Sequence, residues 1–452
     1  MVPAVHNVYS SPRRVAAVGV GAVLLGAMVA RVSSVIALVV PTMIGILLLL
    51  GLVRGLIRWP DEAARRRILW WTMVAFAAHL IFGLGATNIS REIRFYLGTD
   101  SFSYDNSARA IVQHWNHGFP LPLVPHGKEG FYYMLAGLYW VFGFHTAAGL
   151  AVNATLAAAL VPVMSDATDR LFGPRAARYV PYLVVLLPGL FLWTSQLMRE
   201  AGTLFLLAAA LNCAVRLVER LSPAPLILLI STLLLAFTFR AWVALIVAAG
   251  LLVGLAVGHR QLLSGLGTGL STFVIAAVIM VASGLGYSGY KTAVDVDLER
   301  ANVVRKDLAY SGRTGYEADV DISTTRGALS YLPKGIVNFV GGPFPWSIGG
   351  ARQLPFVPDM VAWWLVLPSL WRGFRAAGER VGRRRWLMAL PAVGVILFMS
   401  LALGNFGTVV RERLQVIILL VPLIAFGISL RASAADEPPV GGGAPVAVAP
   451  QA

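Results

Sequence analysis

Apolar residues in this chain come in long unbroken runs rather than in the three-and-four spacing of a soluble amphipathic helix. A helix needs about 20 apolar residues to cross a bilayer, and Gly, Pro and Arg divide the sequence into about twelve runs near that length. They are 15–30, 35–53, 68–87, 146–164, 179–196, 201–218, 224–239, 241–258, 268–287, 358–370, 386–403 and 414–430. The pattern predicts an all-α polytopic membrane protein. A further run, 131–144, has only about 14 residues, too few for a full span, and its tyrosines and Trp140 suit the headgroup level. It is expected as an interfacial or re-entrant helix, because counting it as a span would turn the basic connection 170–178 outward.

Composition agrees: of 452 residues 57% are hydrophobic and only 13% charged, and the mean hydropathy is +0.72. The formal charge of +15 is no sign of nucleic acid as a partner. The arginines cluster in short connections, among them Arg65 to Arg67, Arg170, Arg175 and Arg178, Arg216 and Arg220, and Arg383 to Arg385. These all fall inside if both termini are cytoplasmic, as the positive-inside rule requires. Arg13 and Arg14 ahead of the first run read as a retained signal anchor. The single cysteine, Cys213, lies in an apolar run, so the chain alone builds neither a disulfide nor a thiolate metal site. The expected organisation is an N-terminal hairpin and inner loop (1–67), a core (68–287) with a first outer loop at 88–145, a second outer loop (288–357), C-terminal spans (358–431) and a disordered tail (432–452). The second outer loop opens with an alternately charged stretch, expected as a solvated helix. No internal repeat of the kind common in transporters is evident.

Against this background a few charges stand at the outer ends of spans: Asp100, Lys128, Arg199 beside Glu200, and Arg411, Glu412 and Arg413. Charge near the membrane is costly and marks a polar substrate. Each also has a plain structural reading. Asp100 can cap a helix, Tyr104 can pack as an interfacial aromatic, Lys128 can snorkel, and Arg199 and Glu200 can neutralise each other. Arg240 stands alone at another outer turn, and His79 reads as a helix-packing histidine. His114, His117 and His126 share the first outer loop without the tight spacing of a metal site.

The first outer loop reads Gly98, Thr99, Asp100, Ser101, Phe102, Ser103, Tyr104, Asp105, then Ala108 and Arg109, with Lys128 and Glu129 ahead of an aromatic stretch ending at Gly143. This order resembles the first outer loop of the GT-C superfamily of lipid-dependent glycosyltransferases, especially the branch with protein mannosyltransferases and the lipid A aminoarabinose transferase. The resemblance continues through Asn153, Arg170, Leu171, Gly173, Pro188, Arg199 and Glu200. Family members often carry two adjacent acids where this chain has Asp100 and Ser101, and commonly two prolines where it has Glu129 and Gly130. The first two runs form an additional hairpin.

The resemblance implies an inverting transfer of sugar from a polyprenyl-phosphate donor to a glycan, lipid or protein acceptor, on the outer side of a bacterial inner membrane. Such a reaction needs a carboxylate to take or orient the acceptor proton, the role expected of Asp100 with Asp105 as fallback. It also needs cations around the departing phosphate, the role expected of Lys128, Arg199, Arg411 and Arg413. Tyr104 and Glu200 are expected as supporting residues. These residues assign no cofactor, and a divalent ion held by Asp100 and the donor phosphate, as in some members of the superfamily, stays open. Two other readings stay open: a polysaccharide polymerase or ligase using polyprenyl-diphosphate oligosaccharides, and a transporter or lipid flippase with the same charges along its path.

Overall fold

The computed structural model describes residues 34–57, 59, 61–88, 100–258, 297–312, 314–347, 354 and 356–436. The expected spans 15–30 and 268–287 lie outside them, as does the tail from 437. Among the described residues there is no strand. The helices are α1 (Ser34–Leu56), α2 (Glu62–Asn88), α3 (Asp100–His117), α4 (Glu129–Phe142), α5 (Thr146–Phe172), α6 (Pro174–Ala177), α7 (Val180–Leu186), α8 (Pro188–Thr194), α9 (Glu200–Glu219), α10 (Pro223–Phe239), α11 (Ala241–Gly258), α12 (Leu298–Ser311), α13 (Thr325–Gly341), α14 (Val357–Arg380), α15 (Trp386–Ala402) and α16 (Phe406–Asp436). Among the described residues seven are long and apolar enough to cross a membrane, and α6–α7 with α8 form an apolar pair bent by 57°, a broken span or a re-entrant loop. Each expected span on described residues coincides with a helix, the shorter α10 and the more polar α14 included, except 179–196, which falls on the two short helices α7 and α8.

The α5 helix is the axle of the bundle, packed against α1, α2, α9 and α16. Its buried alanines, Ala148, Ala151, Ala154, Ala157 and Ala158 among them, let neighbouring backbones close in where lipid gives no hydrophobic drive between helices. The α16 helix is equally enclosed, while α1 buries only 22% of its apolar window and leaves the rest to lipid. Backbones meet directly where α14 crosses α16: a Cβ on Gly373 would strike the Leu423 carbonyl, and one on Gly427 the Ser369 carbonyl. At the end of α5 remote from Thr146, Asp166 is buried and answers Arg170 at 3.0 Å, Arg216 at 2.7 Å and Asn212 at 2.8 Å, so its charge is paired and hydrogen-bonded.

The 131–144 run forms α4, which at 14 residues and 1.5 Å per residue is about 21 Å long, short of the roughly 30 Å hydrocarbon core. It packs on α3, with Phe131 and Tyr132 edge-on or tilted against Tyr104 at 4.8 and 4.9 Å. Gly130 seats the start of α4 on Thr238 and Phe239 at the end of α10, where any side chain would collide. The charged stretch expected as a solvated helix is α12, whose first turn is capped by Asp297 accepting from the Arg300 amide at 2.7 Å. Thr324 caps α13 in the same way through the Gly327 amide.

Candidate active site

Four local devices bring distant charges together. The first is the irregular stretch between α8 and α9. Non-helical backbone at membrane depth persists only where its polar groups are met inside the protein. Here the Asn153 amide donates to the Gln196 and Met198 carbonyls at 2.6 and 2.8 Å. Gly83 of α2 gives the stretch room, since a Cβ there would lie 2.5 Å from the Ser195 carbonyl. The stretch delivers Arg199 as the N-cap and Glu200 as the first residue of α9.

The second is the turn from α10 to α11, which holds Arg240, 6% exposed, between Phe239 and Ala241. The third is the entry to α16. The Asn405 side chain accepts from the Thr408 amide at 3.2 Å and from the Thr314 hydroxyl at 2.7 Å, capping the helix that carries Arg411 and Glu412. The fourth lies before α4. Gly127 has φ +73°, and a Cβ there would press on Ala241 at 3.0 Å, so glycine is required for the turn that presents Lys128.

The result is a chain of alternating charges. Arg411 Nη1 donates to Asp100 Oδ2 at 2.6 Å, and its Nε lies 3.4 Å from Glu200 Oε1. Glu200 in turn accepts from Arg240 Nη2 at 3.0 Å, Arg240 Nη1 donates to Glu412, and Glu412 accepts from Gln415 at 2.6 Å. Asp100 begins α3, and its side chain is 45% exposed, at the solvent end of this chain. Arg199 donates to the Phe239 carbonyl at 3.3 Å and pairs with no carboxylate among the described residues; Lys128 likewise has none within 4.0 Å.

Lys128, Arg199, Arg240, Glu412 and Arg411 line one cavity of about 560 Å³. Apolar side chains complete the lining, Trp242 and Val243 of α11, Val304 and Leu308 of α12, and Phe398, Met399 and Leu403 at the end of α15, with Asp297 and Arg300 at the start of α12. Trp242 and Phe398 stack at 5.8 Å. The volume lies within the few-hundred to 1,000 Å³ range of small-ligand sites, and a lining that combines basic and apolar side chains suits an anion with a hydrocarbon tail.

Burial works against the Asp100 carboxylate, yet Arg411, with Lys128 and Arg199 behind it, outweighs that and holds its pKa below the ordinary aspartate value. Burial and then Arg199 lower Lys128 to about 8, with Asp100 opposing them. Tyr104, four residues beyond Asp100 on the same face of α3, is buried, and burial pushes its phenol up to about 12, so it stays protonated.

The structure thus brings together Asp100, Lys128, Arg199, Glu200 and Arg411 of the expected residues. Glu200 pairs with Arg240 and Arg411 rather than with its neighbour Arg199. Asp105 turns to another side of α3, accepting from Tyr139 at 2.5 Å and from Arg109 at 3.1 Å. Arg413 faces away from the cavity and donates to the Gly342 carbonyl, close enough to Asp359 to feel its charge. Arg240 and Glu412 are the residues whose weight the sequence conceals. No three His, Cys, Asp or Glu side chains among the described residues form a metal site. Of the acids beside the cavity, Asp100, Glu200 and Glu412 each face an arginine, while Asp297 serves as the N-cap of α12. His79 is buried with its Nδ1 2.6 Å from the Ala75 carbonyl, as expected of a packing histidine.

No protein-family model matches the chain, and no curated protein does so by sequence. Solved structures do resemble it. ArnT from Cupriavidus metallidurans bound to undecaprenyl phosphate superposes with a TM-score of 0.50 at 15% identity, over 80% of this chain and 60% of ArnT. The apo state of the same protein gives a TM-score of 0.51 at 14% identity, over 82% and 60%. The archaeal oligosaccharyltransferase AglB from Archaeoglobus fulgidus, in complex with an inhibitory peptide and a dolichol-phosphate, gives 0.47 at 14% identity, over 78% and 50%. The chain therefore spans about 60% of the length of the ArnT structures and shares their fold.

Proposed function

We propose that this chain is an inverting membrane glycosyltransferase that moves a sugar from a polyprenyl-phosphate donor to a hydroxyl of a cell-envelope glycan, lipid or protein, on the extracytoplasmic side of a bacterial inner membrane. The observation that carries the reading is one cavity lined by Lys128, Arg199 and Arg411 together with apolar side chains, with Asp100 held beside it through Arg411. The ArnT structure that shares this fold was solved with undecaprenyl phosphate, a ligand of the same chemistry.

In this reading the donor phosphate sits among Lys128, Arg199 and Arg411, and its prenyl chain leaves along the apolar side chains of the lining. The acceptor oxygen attacks the anomeric carbon from the face opposite the phosphate. The new C–O bond forms, the bond to phosphate oxygen breaks with its electron pair staying on polyprenyl phosphate, and the acceptor proton passes to Asp100. Attack from the opposite face inverts the anomeric centre. Charge grows on the leaving phosphate, where the cations oppose it. Arg411 links the two halves: engaged with Asp100 it keeps that carboxylate a weak base, and drawn toward phosphate it releases it.

Charge counting favours a monophosphate donor. Lys128, Arg199, Arg240 and Arg411 stand against Asp100, Glu200 and Glu412, four positive charges against three negative. The surplus of one matches the single charge of a phosphodiester rather than the two of a diphosphate diester. In this account Asp105 holds α3 to α4 through Tyr139, and Arg413 anchors α16 to the second outer loop; neither touches substrate.

The test is transfer by purified protein in lipid, offered labelled polyprenyl-phosphate and polyprenyl-diphosphate sugars. Addition of one sugar from the monophosphate, lost in Asp100→Ala, is expected. Turnover that survives this substitution, repeat-unit ladders from the diphosphate, or lipid movement without a covalent product would overturn the proposal.

A further inference from the structure

A second large cleft, of about 510 Å³, lies at the other end of the bundle. It is lined by Arg67 of α2, Arg178 and Tyr179 before α7, Tyr182 and Leu183 of α7, and Ile428 of α16. Ile428 and Arg411 share α16 and stand about 25 Å apart at 1.5 Å per residue, close to the thickness of a bilayer core. The two clefts therefore belong to opposite membrane surfaces.

The arginines at this end fall into two groups. Arg66, Arg170 and Arg216 each have a carboxylate: Glu62 at 2.8 Å, Asp166 at 3.0 Å and Glu219 at 2.5 Å, and Asp166 at 2.7 Å respectively. Arg67 and Arg178 have none within 4.0 Å among the described residues, yet both face this cleft. Two like charges on one concavity repel unless an anion joins them. The Arg178 guanidinium is also held in place, lying 4.9 Å over the Tyr179 ring and donating to its hydroxyl at 2.7 Å. That leaves its remaining N–H donors free in direction for a phosphate. Leu183 and Ile428 make the floor apolar, and Tyr182 packs edge-on to Trp71 at 5.0 Å, beside exposed Trp70, the aromatic pairing typical of the headgroup level.

We infer that this cleft binds an anionic glycerophospholipid of the leaflet opposite the proposed active site, its phosphate between Arg67 and Arg178 and its first acyl carbons on Leu183 and Ile428. A free phosphate would use the guanidinium groups but not the apolar floor; a zwitterionic lipid would bring a cation back to two arginines. The inference is independent of the proposed activity.

The experiment is native mass spectrometry of the full chain in detergent, titrated separately with phosphatidylglycerol, phosphatidylcholine and undecaprenyl phosphate. Phosphatidylglycerol is expected to be retained in preference to phosphatidylcholine, and the double substitution Arg67→Gln with Arg178→Gln to weaken it about thirtyfold. Arg65→Gln with Arg175→Gln removes two exposed arginines from the same end outside the cleft and is expected to change affinity by less than about threefold. Equal losses in the two double variants, no preference over phosphatidylcholine, or tighter Arg67-dependent binding of undecaprenyl phosphate would overturn the inference. Should the first double variant fold poorly, thermal unfolding of the unaltered protein decides. Phosphatidylglycerol is expected to raise its transition and inorganic phosphate to leave it in place; the reverse refutes the site.

Discussion

Replacing Asp100 by Asn separates the roles this residue can have. Asp100 is the first residue of α3, and asparagine keeps the size and shape of its side chain. What disappears is the charge that pairs with Arg411. Both groups of that pair retain contact with solvent, Asp100 at 45% and Arg411 at 16%, so it contributes at most about 1 kcal/mol, and Arg411 keeps Glu200 within 3.4 Å. Removing it frees Arg411 for the donor phosphate, and about 1 kcal/mol corresponds to donor binding up to about fivefold tighter. Losing the base should lower turnover by about 10²- to 10⁴-fold. The assay pairs equilibrium binding of a polyprenyl phosphate, by isothermal calorimetry in detergent, with single-turnover sugar transfer. Tighter or equal binding with collapsed turnover is expected. Weaker binding would show that Asp100 helps to seat the donor, and undiminished turnover that it takes no proton; either refutes the reasoning.

Lys128, lowered to about 8, is charged below that pH and loses its proton as pH rises through it, so donor affinity should be flat to about pH 7 and then fall with the loss of one charge. Lys128→Arg is expected to keep affinity at pH 9, and a fall of the same size in that variant would place the titration elsewhere. Arg240→Met takes from buried Glu200 and Glu412 their nearest cation, leaving Arg411 at 3.4 and 4.0 Å, and should cost up to about 3 kcal/mol of stability. Adding Glu412→Gln should recover part of that in thermal unfolding, and strict additivity would argue against the network. Asp105→Asn is expected to retain turnover within about threefold while Tyr139→Phe lowers stability by about 1–3 kcal/mol, because Asp105 acts on α4 and not on substrate. Gly427→Val should prevent α14 and α16 from meeting, seen as loss of a monodisperse peak in size-exclusion chromatography.

The spans were legible because crossing a bilayer demands a run of apolar residues whatever the tertiary context; α9 follows its run closely, while α5 and α16 continue beyond theirs into polar residues, to Phe172 and from Phe406 to Asp436. Asp100 and Lys128 were legible through the motif that surrounds them. Arg240 was not, since a lone cation at a turn has no local signature. Its meaning comes from Glu200 and Glu412, 40 and 172 residues away in sequence. The plain structural alternative, Arg199 neutralised by Glu200, does not hold for a related reason: adjacent residues at a helix start point apart, and Glu200 pairs across the bundle. Arg413 carried a signal that periodicity could have supplied. At 3.6 residues per turn it stands about 200° from Arg411, so the two cannot share one cavity on a straight helix.

That phase relation makes the start of α16 a three-way junction. Arg411 reaches the carboxylate of α3, Glu412 the turn before α11, and Arg413 the loop behind α13. Deleting a single residue between Asn405 and Arg411 would swing the whole set by about 100°, exchanging the side chains among the three directions at once. For anyone shortening or grafting this helix, its reading frame matters more than the identity of any one of the three.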